Sequence, residues 1–143
     1  MTIRDAKASD AAAIAGLLTE LGYPNDSDFA TRKLQLFTDR DSSHVIVAEV
    51  DGAVAGFICF DAQPLFHQEG LIGTIMALSI GEKYRGHGVG RALVARVEEI
   101  GQHAGCVKIA VASGIHRLDA HRFYLGLGYE EITKRLVKQL KNI

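Results

Sequence analysis

Apolar residues recur along this chain with two different periods, and the switches between them mark out its elements. Residues 2 to 7 read as a short strand; Ile14, Leu17, Leu18 and Leu21 then return every three or four positions, one stripe of a helix that Ser9 is placed to cap and Gly22-Tyr23-Pro24 to end. A less periodic helix is predicted over 27 to 38, carrying Phe29, Leu34 and Phe37, before the polar stretch Thr38 to Ser43. Two β-type runs follow, HVIVAEV and AVAGFICF, joined by Asp51-Gly52, a dipeptide suited to a tight hairpin. Past a polar and aromatic loop, Pro64 to Glu69, the unbroken run GLIGTIMALSI at 70 to 80 reads as a central strand buried on both faces. After the loop Gly81 to His87, the stripe Val89, Leu93, Val97, Ile100 and Ala104 faces away from Arg91, Arg96, Glu98 and Glu99, which makes an amphipathic helix of about five turns.

Cys106 to Ala112 reads as another buried strand. Strand, helix, strand in that order requires a parallel pair with a right-handed crossover, so a sheet that also holds the hairpin is mixed. Ala120, Phe123, Tyr124 and Leu127 share one face of a further helix that ends near Gly126 or Gly128. Ile132, Leu136 and Leu140 fit either one face of a strand or a helical spacing of four; residues 130 to 140 are read as the strand that supplies the sheet with a final antiparallel partner. The fold class is therefore α/β with a mixed sheet. With 143 residues and neither linker nor repeat, the expected organisation is a single domain over 1–143.

Composition narrows the function. Sixteen Lys and Arg against 17 Asp and Glu leave a net charge of −1, without the basic excess that nucleic-acid binders usually show, so no nucleic-acid partner is expected. The start MTIRDAKASD has no apolar core of a leader, and no run of about 18 apolar residues occurs, so the expected location is cytoplasmic, without a membrane partner. Cys59 and Cys106 lie inside apolar runs, as buried thiols do, and make no disulfide framework. Neither paired cysteines nor H-E-x-x-H is present, so no metal is expected. Lys134, Arg135, Lys138 and Lys141 are read as residues that keep an edge soluble. Glycine stands out at 15 residues, about a tenth of the chain against a usual ~7%.

The informative glycines sit in Tyr84-Arg85-Gly86-His87-Gly88-Val89-Gly90-Arg91, between the central strand and the amphipathic helix. N–H groups at a helix start have no intrahelical partner and carry the positive end of the helix dipole, so this is a natural anion site. Arg85 and Arg91 flank it with side chains able to hold phosphate oxygens. A P-loop would need Lys-Ser or Lys-Thr after its last glycine, where His87-Gly88 stands. The dinucleotide fingerprint G-x-G-x-x-G fails at Arg91 in one register and at Leu93 in the other. Taken alone, the glycines also suit any tight turn from strand to helix.

What remains, R-x-x-G-x-G over Arg85 to Gly90 after Leu78-Ser79-Ile80, resembles the pyrophosphate loop of the GNAT acyl-CoA N-acyltransferases. The later segment Ala120-His121-Arg122-Phe123-Tyr124 through Gly128-Tyr129 is similar to that family's A-x-x-F-Y-x-x-x-G-F/Y motif, and IRDAKASDAAAIAGLL to its first strand and helix. Among subgroups, R-x-x-A-H-R-F-Y-L resembles the aminoalkylphosphonate N-acetyltransferases most. The resemblance implies a GNAT-type fold: a mostly antiparallel sheet with a central parallel pair splayed for CoA, and helices on both faces. It implies acetyl-CoA as cosubstrate, with the backbone of Leu78, Ser79 and Ile80 pairing with the pantetheine arm. Arg85, Gly86, His87, Gly88, Val89, Gly90 and Arg91 would hold the pyrophosphate, mainly through main-chain N–H groups. Tyr124 would be the general acid that protonates the leaving thiolate; without the resemblance it reads as a core aromatic with a wet tip.

The chain departs from that pattern in three places. Thr74 and Ala77 stand where many members carry a Glu base on the central strand, which leaves Glu69, Asp61, His67 and His116 as candidates. Glu82 replaces a frequent Pro, and Arg117 a frequent Asn. The expected activity is N-acetylation of a primary amine of a small molecule by direct attack in a ternary complex, with residues 22 to 38 and the 64 to 69 loop lining the acceptor pocket. A protein lysine or N-terminal amine is the rival acceptor, and a non-catalytic acyl-CoA binding module the rival class. Homodimers are common among similar proteins; no residue here decides the matter.

Overall fold

A computed structural model describes residues 1–112, 118–132 and 135–141. The chain divides into two compact units, Met1–Ser113 and Gly114–Ile143.

The first unit is built on one sheet in the order β1 (Thr2–Asp5), β2 (Ser43–Val50), β3 (Ala53–Pro64), β4 (Leu71–Ile80) and β5 (Cys106–Val111). Every neighbouring pair is antiparallel except β4 and β5, which are parallel as the intervening helix requires. β2 and β3 are joined as the Asp51-Gly52 dipeptide predicts, both residues having positive φ. Alternation along β3 sends Phe57 and Cys59 to one face and Ile58 and Phe60 to the other, and all four are buried. Val45, Val47, Phe57 and Cys59 pack with Ile14, Leu17, Ala30 and Leu34 of helices α1 (Ala11–Leu21) and α2 (Ser27–Thr38). On the opposite face lies α3 (Val89–Ala104), which buries Val89, Leu93, Val94, Val97 and Gly101; a Cβ on Gly101 would meet the Phe60 ring at 3.4 Å. Helices thus cover both faces, as a GNAT-type fold implies.

The helix ends follow local chemistry. Asp26 caps α2 by accepting the Phe29 N–H at 2.9 Å. At α1 the N-cap position belongs to Asp10, because Ser9 lies inside a 3₁₀ turn at Ala8–Asp10. Asp10 is held instead by both guanidinium nitrogens of Arg4, at 2.8 and 3.0 Å, and by the Lys7 N–H at 2.8 Å.

Three further expectations need correction. β4 is not buried throughout, since Met76 is 43% exposed. β5 is not a buried strand: Val107 is 54% exposed, since β5 is the last strand of the described sheet. Residues 130–132 and 135–140 form no strand, residues 133 and 134 lying outside the described part. Ile132, Leu136 and Leu140 are all exposed there, so alternation alone, without a ladder of partners, does not make a strand. The second unit holds α4 (Leu118–Gly126), followed by a turn with Gly128 at φ +94° whose Tyr129 N–H returns to the Tyr124 carbonyl at 3.0 Å.

Candidate acyl-CoA site

The site starts from a fault in β4. Cys59 of β3 pairs with Ala77 and Phe60 with Ile75, so Met76 has no partner and forms a β-bulge. On the other side, pairing with β5 ends at Ile75 opposite Val111, with one further bond from the Ala112 N–H to the Ile75 carbonyl at 3.0 Å. From Met76 to Ile80 the strand keeps β3 as its neighbour and, among the described strands, has none on the other side. That open edge is about 16 Å long at ~3.3 Å per residue.

The bulge decides which groups line the edge. The Gly81 N–H donates to Ala55 of β3 at 2.8 Å, and a Cβ on Gly56 would stand 2.9 Å from the Ser79 carbonyl oxygen. Residues 79 and 81 therefore turn their main-chain groups toward β3, and by alternation Leu78 and Ile80 turn theirs to the open side. Ser79 is thus placed differently from its neighbours: its hydroxyl, buried with the rest of the residue, donates to the Leu17 carbonyl of α1 at 2.9 Å.

The edge runs into the glycine loop. After a 3₁₀ turn at Glu82–Tyr84, Gly86 and Gly88 take φ +80° and +82°, a region in which a side chain costs roughly 1–2 kcal/mol. Nothing lies within 4 Å of where their Cβ atoms would be, so the space over the loop is open. The first bond of α3 runs from the Ala92 N–H to the Gly88 carbonyl at 3.0 Å. The N–H groups of Gly86, His87, Gly88, Val89, Gly90 and Arg91 find no acceptor among the described residues. Six donors at the positive end of a 16-residue helix form a cradle for an anion such as pyrophosphate. Arg91 stands exposed in the first turn. Arg85 does not point into the cradle: its Nε–H donates to the Ile80 carbonyl at 3.1 Å, and its Nη2 lies 4.0 Å from Glu20. Glu20 also accepts the Glu82 N–H at 3.2 Å, a bond that a proline at position 82 could not donate.

Of the candidate bases, Asp61 is already committed. Ser42 and Ser43 donate to one oxygen at 2.9 and 2.8 Å, Gln63 donates to the other, and Arg40 lies 3.6 Å away. Burial pushes its pKa up, but these donors and the Arg40 charge outweigh it and hold the carboxyl below its ordinary value. Glu69 and His67 line a groove of about 810 Å³ between the 64–71 loop and Ala104-Gly105, at the start of β4, whereas the cradle lies past its end, roughly 30 Å away along the strand. His116 and Arg117 lie outside the described residues. A smaller cavity of about 330 Å³ at the α1–α2 turn is lined by Tyr23, Pro24, Asn25, Asp26, Phe29 and Arg32, inside the segment expected to take the acceptor. Tyr124 lies in α4 of the second unit, 8% exposed, its ring edge-on to Phe123 at 5.1 Å and Tyr129 at 5.5 Å.

A sheet with an open strand edge running into a main-chain anion cradle has the geometry to receive a phosphate-bearing ligand with an extended arm. Residues 12–129 match the Acetyltransferase (GNAT) family, and the chain belongs to it. GNAT acetyltransferases use acetyl-CoA, which supplies an acyl group activated as a thioester. The chain is 31% identical to the aminoalkylphosphonate N-acetyltransferase of Salmonella typhimurium over 96% of its length and 90% of that protein's. It is 30% identical to the aminoglycoside N(6')-acetyltransferase type 1 of Stenotrophomonas maltophilia, covering 95% and 90%. The CoA complex of aminoglycoside N-acetyltransferase AAC(6')-Iy superimposes with a TM-score of 0.80 over 99% of this chain and 100% of that one; at 19% identity the likeness speaks for the fold.

Among the described residues, no helix is long and apolar enough to cross a membrane. The direction of the Arg85 side chain, the attachment of Glu20 to the loop and the network around Asp61 escape sequence reasoning. Each joins residues whose proximity no local spacing encodes.

Proposed function

We propose that this chain is a cytoplasmic acetyl-CoA-dependent N-acetyltransferase, one domain over 1–143, that acetylates a primary amine of a small molecule of the aminoalkylphosphonate kind. The observation that carries the reading is the continuity of the open Leu78–Ile80 edge with the six unpaired N–H groups of the loop. It offers an extended arm and its pyrophosphate one uninterrupted path. Support for a small amine comes from the two relatives above, an aminoalkylphosphonate and an aminoglycoside N-acetyltransferase, and from the size of the Tyr23–Arg32 cavity.

An ammonium has no lone pair, so the acceptor must lose a proton before it attacks the thioester carbonyl. Asp61 is held by three donors and Glu69 and His67 lie at the far end of β4, so this proton passes to water, with His116, outside the described residues, as the remaining candidate base. The oxyanion formed by attack is stabilised by a main-chain N–H of the open edge, at Leu78 or Ile80. As the tetrahedral intermediate collapses, the Tyr124 hydroxyl protonates the departing thiolate. No covalent enzyme intermediate forms.

The test is thiol release from acetyl-CoA against aminoalkylphosphonates, polyamines, aminoglycosides and a lysine peptide, repeated with Tyr124→Phe. Amine-dependent release that falls at least tenfold in the variant, with CoA affinity kept, is the expected result. Release with the peptide alone would move the acceptor to proteins. CoA binding without turnover on any amine would make the chain an acyl-CoA binding module, a reading consistent with Thr74 and Ala77 on the central strand.

A further inference from the structure

We propose that Arg85 is a positioning residue that fixes the end of the β4 edge, acting through the Ile80 carbonyl, and is not a clamp on phosphate. The inference rests on the acetyl-CoA reading above and concerns how the chain sets the register of the bound arm.

Three contacts carry it. The Arg85 Nε–H donates to the Ile80 carbonyl at 3.1 Å. Its Nη2 faces the Glu20 carboxylate at 4.0 Å, so its charge is partly met before any phosphate arrives. Glu20 in turn accepts the Glu82 N–H at 3.2 Å, which ties the start of the loop and the guanidinium to the last turn of α1. Arg91, by contrast, makes no ion pair among the described residues and sits in the first turn of α3, beside the free N–H groups. The phosphate charge falls to Arg91 and the main chain.

Capping Ile80 has a consequence for the ligand. An arm that adds to an open edge meets equivalent donor and acceptor pairs every second residue, here at Leu78 and Ile80. With both carbonyls free, the arm has two registers about 7 Å apart, and only one of them puts the thioester where the amine attacks. With the Ile80 carbonyl already accepting from Arg85, the Leu78 carbonyl is the acceptor on this edge without a partner among the described residues, and the register that uses it is favoured.

The discriminating variants are Arg85→Ala and Arg85→Gln. The Gln Nε2 stands the same number of bonds from the backbone as the Arg Nε, so Gln keeps the donor to Ile80 and discards the charge. Measured as kcat and KM for acetyl-CoA at low and high salt, Ala is expected to lower kcat/KM on the order of tenfold with a salt dependence like that of the wild type. Gln is expected to restore it to within about twofold. A phosphate clamp gives another pattern: Gln is as poor as Ala, and the loss shrinks as salt rises. That result overturns the proposal. Arg91→Ala is expected to show the clamp pattern in the same assay. Because Arg85 is about half exposed, thermal melts of its variants should overlay the wild type. If the wild type itself releases no CoA, the enzyme reading fails, and the two variants are then compared by calorimetric CoA affinity: Gln equal to wild type keeps the role of Arg85, and Gln equal to Ala removes it.

Discussion

Replacing Asp61 by asparagine separates a structural carboxylate from a catalytic one. The change keeps the shape and removes the charge that three side chains address: Ser42 and Ser43 at 2.9 and 2.8 Å, and Gln63. Hydrogen bonds to a charged acceptor contribute about 1.5–3 kcal/mol each against roughly 0.5–1.5 for neutral ones, so three weakened bonds cost about 3 kcal/mol together. Relief from burying a charge at a site 8% exposed offsets part of this, leaving a net loss of about 1–3 kcal/mol. For a chain of 143 residues that lowers Tm by about 3–9 °C at neutral pH. The sign with pH follows from the depressed pKa: the stabilisation is present above the unfolded value of about 3.9 and is lost as pH falls through the lower folded value. The wild-type and variant melts should therefore converge in acid. Thiol release at saturating substrate should stay within about twofold of wild type, because a carboxylate acting as the base would cost 10²–10⁴, on the order of general-base contributions. A variant that melts like the wild type yet loses about a hundredfold in kcat would refute the assignment and make Asp61 the base.

Three further outcomes follow from the same contacts. Gly88→Ala meets no atom within 4 Å but sits at φ +82°, so its cost is backbone strain of about 1–2 kcal/mol, seen as a lower Tm, and calorimetry should show weaker CoA binding; unchanged affinity would remove the loop from the site. Asp10→Asn opens the fork with Arg4 and should cost about 2–3 kcal/mol at neutral pH; Arg4 holds the Asp10 carboxyl below its ordinary value against the effect of burial, so the difference should fade as pH falls below the carboxylate range, and a difference that persists in acid would contradict it. The Cys59 thiol is pushed up to about 11, chiefly by burial, so a thiol reagent at mildly alkaline pH should leave it unmodified in the native protein and reach both cysteines only after unfolding.

The parts legible in the sequence are those with local causes. The hairpin at Asp51-Gly52, the span of α2 and the bounds of α3 follow from turn residues, caps and an apolar stripe, signals contained within a few residues. The glycine loop was legible for the same reason: Gly86 and Gly88 are written directly into the backbone conformation. The bulge at Met76 was not, because the run GLIGTIMALSI has only two polar side chains, Thr74 and Ser79, and one extra residue leaves no mark in a pattern without sustained alternation. Asp61 stands among the candidate bases in the sequence because the partners that commit it, Ser42 and Ser43, lie 19 and 18 residues away. At 130–140 the apolar positions fit two periods equally, and the missing information was the partner strand.

The bulge also bears on how such a site arises and is lost. An extra residue in a strand ordinarily shifts everything beyond it to the wrong face, yet β4 ends four residues past Met76, and what lies beyond includes the small Ala77 and Ser79, the latter anchored to α1. The extra residue is absorbed, and its effect is to change which main-chain groups of β4 lie on the open edge. In evolutionary terms, a single inserted codon is a shorter route to a new binding edge than any series of side-chain replacements. Deleting that one residue would be expected to close the edge while Leu78, Ile80 and the loop glycines all stay encoded.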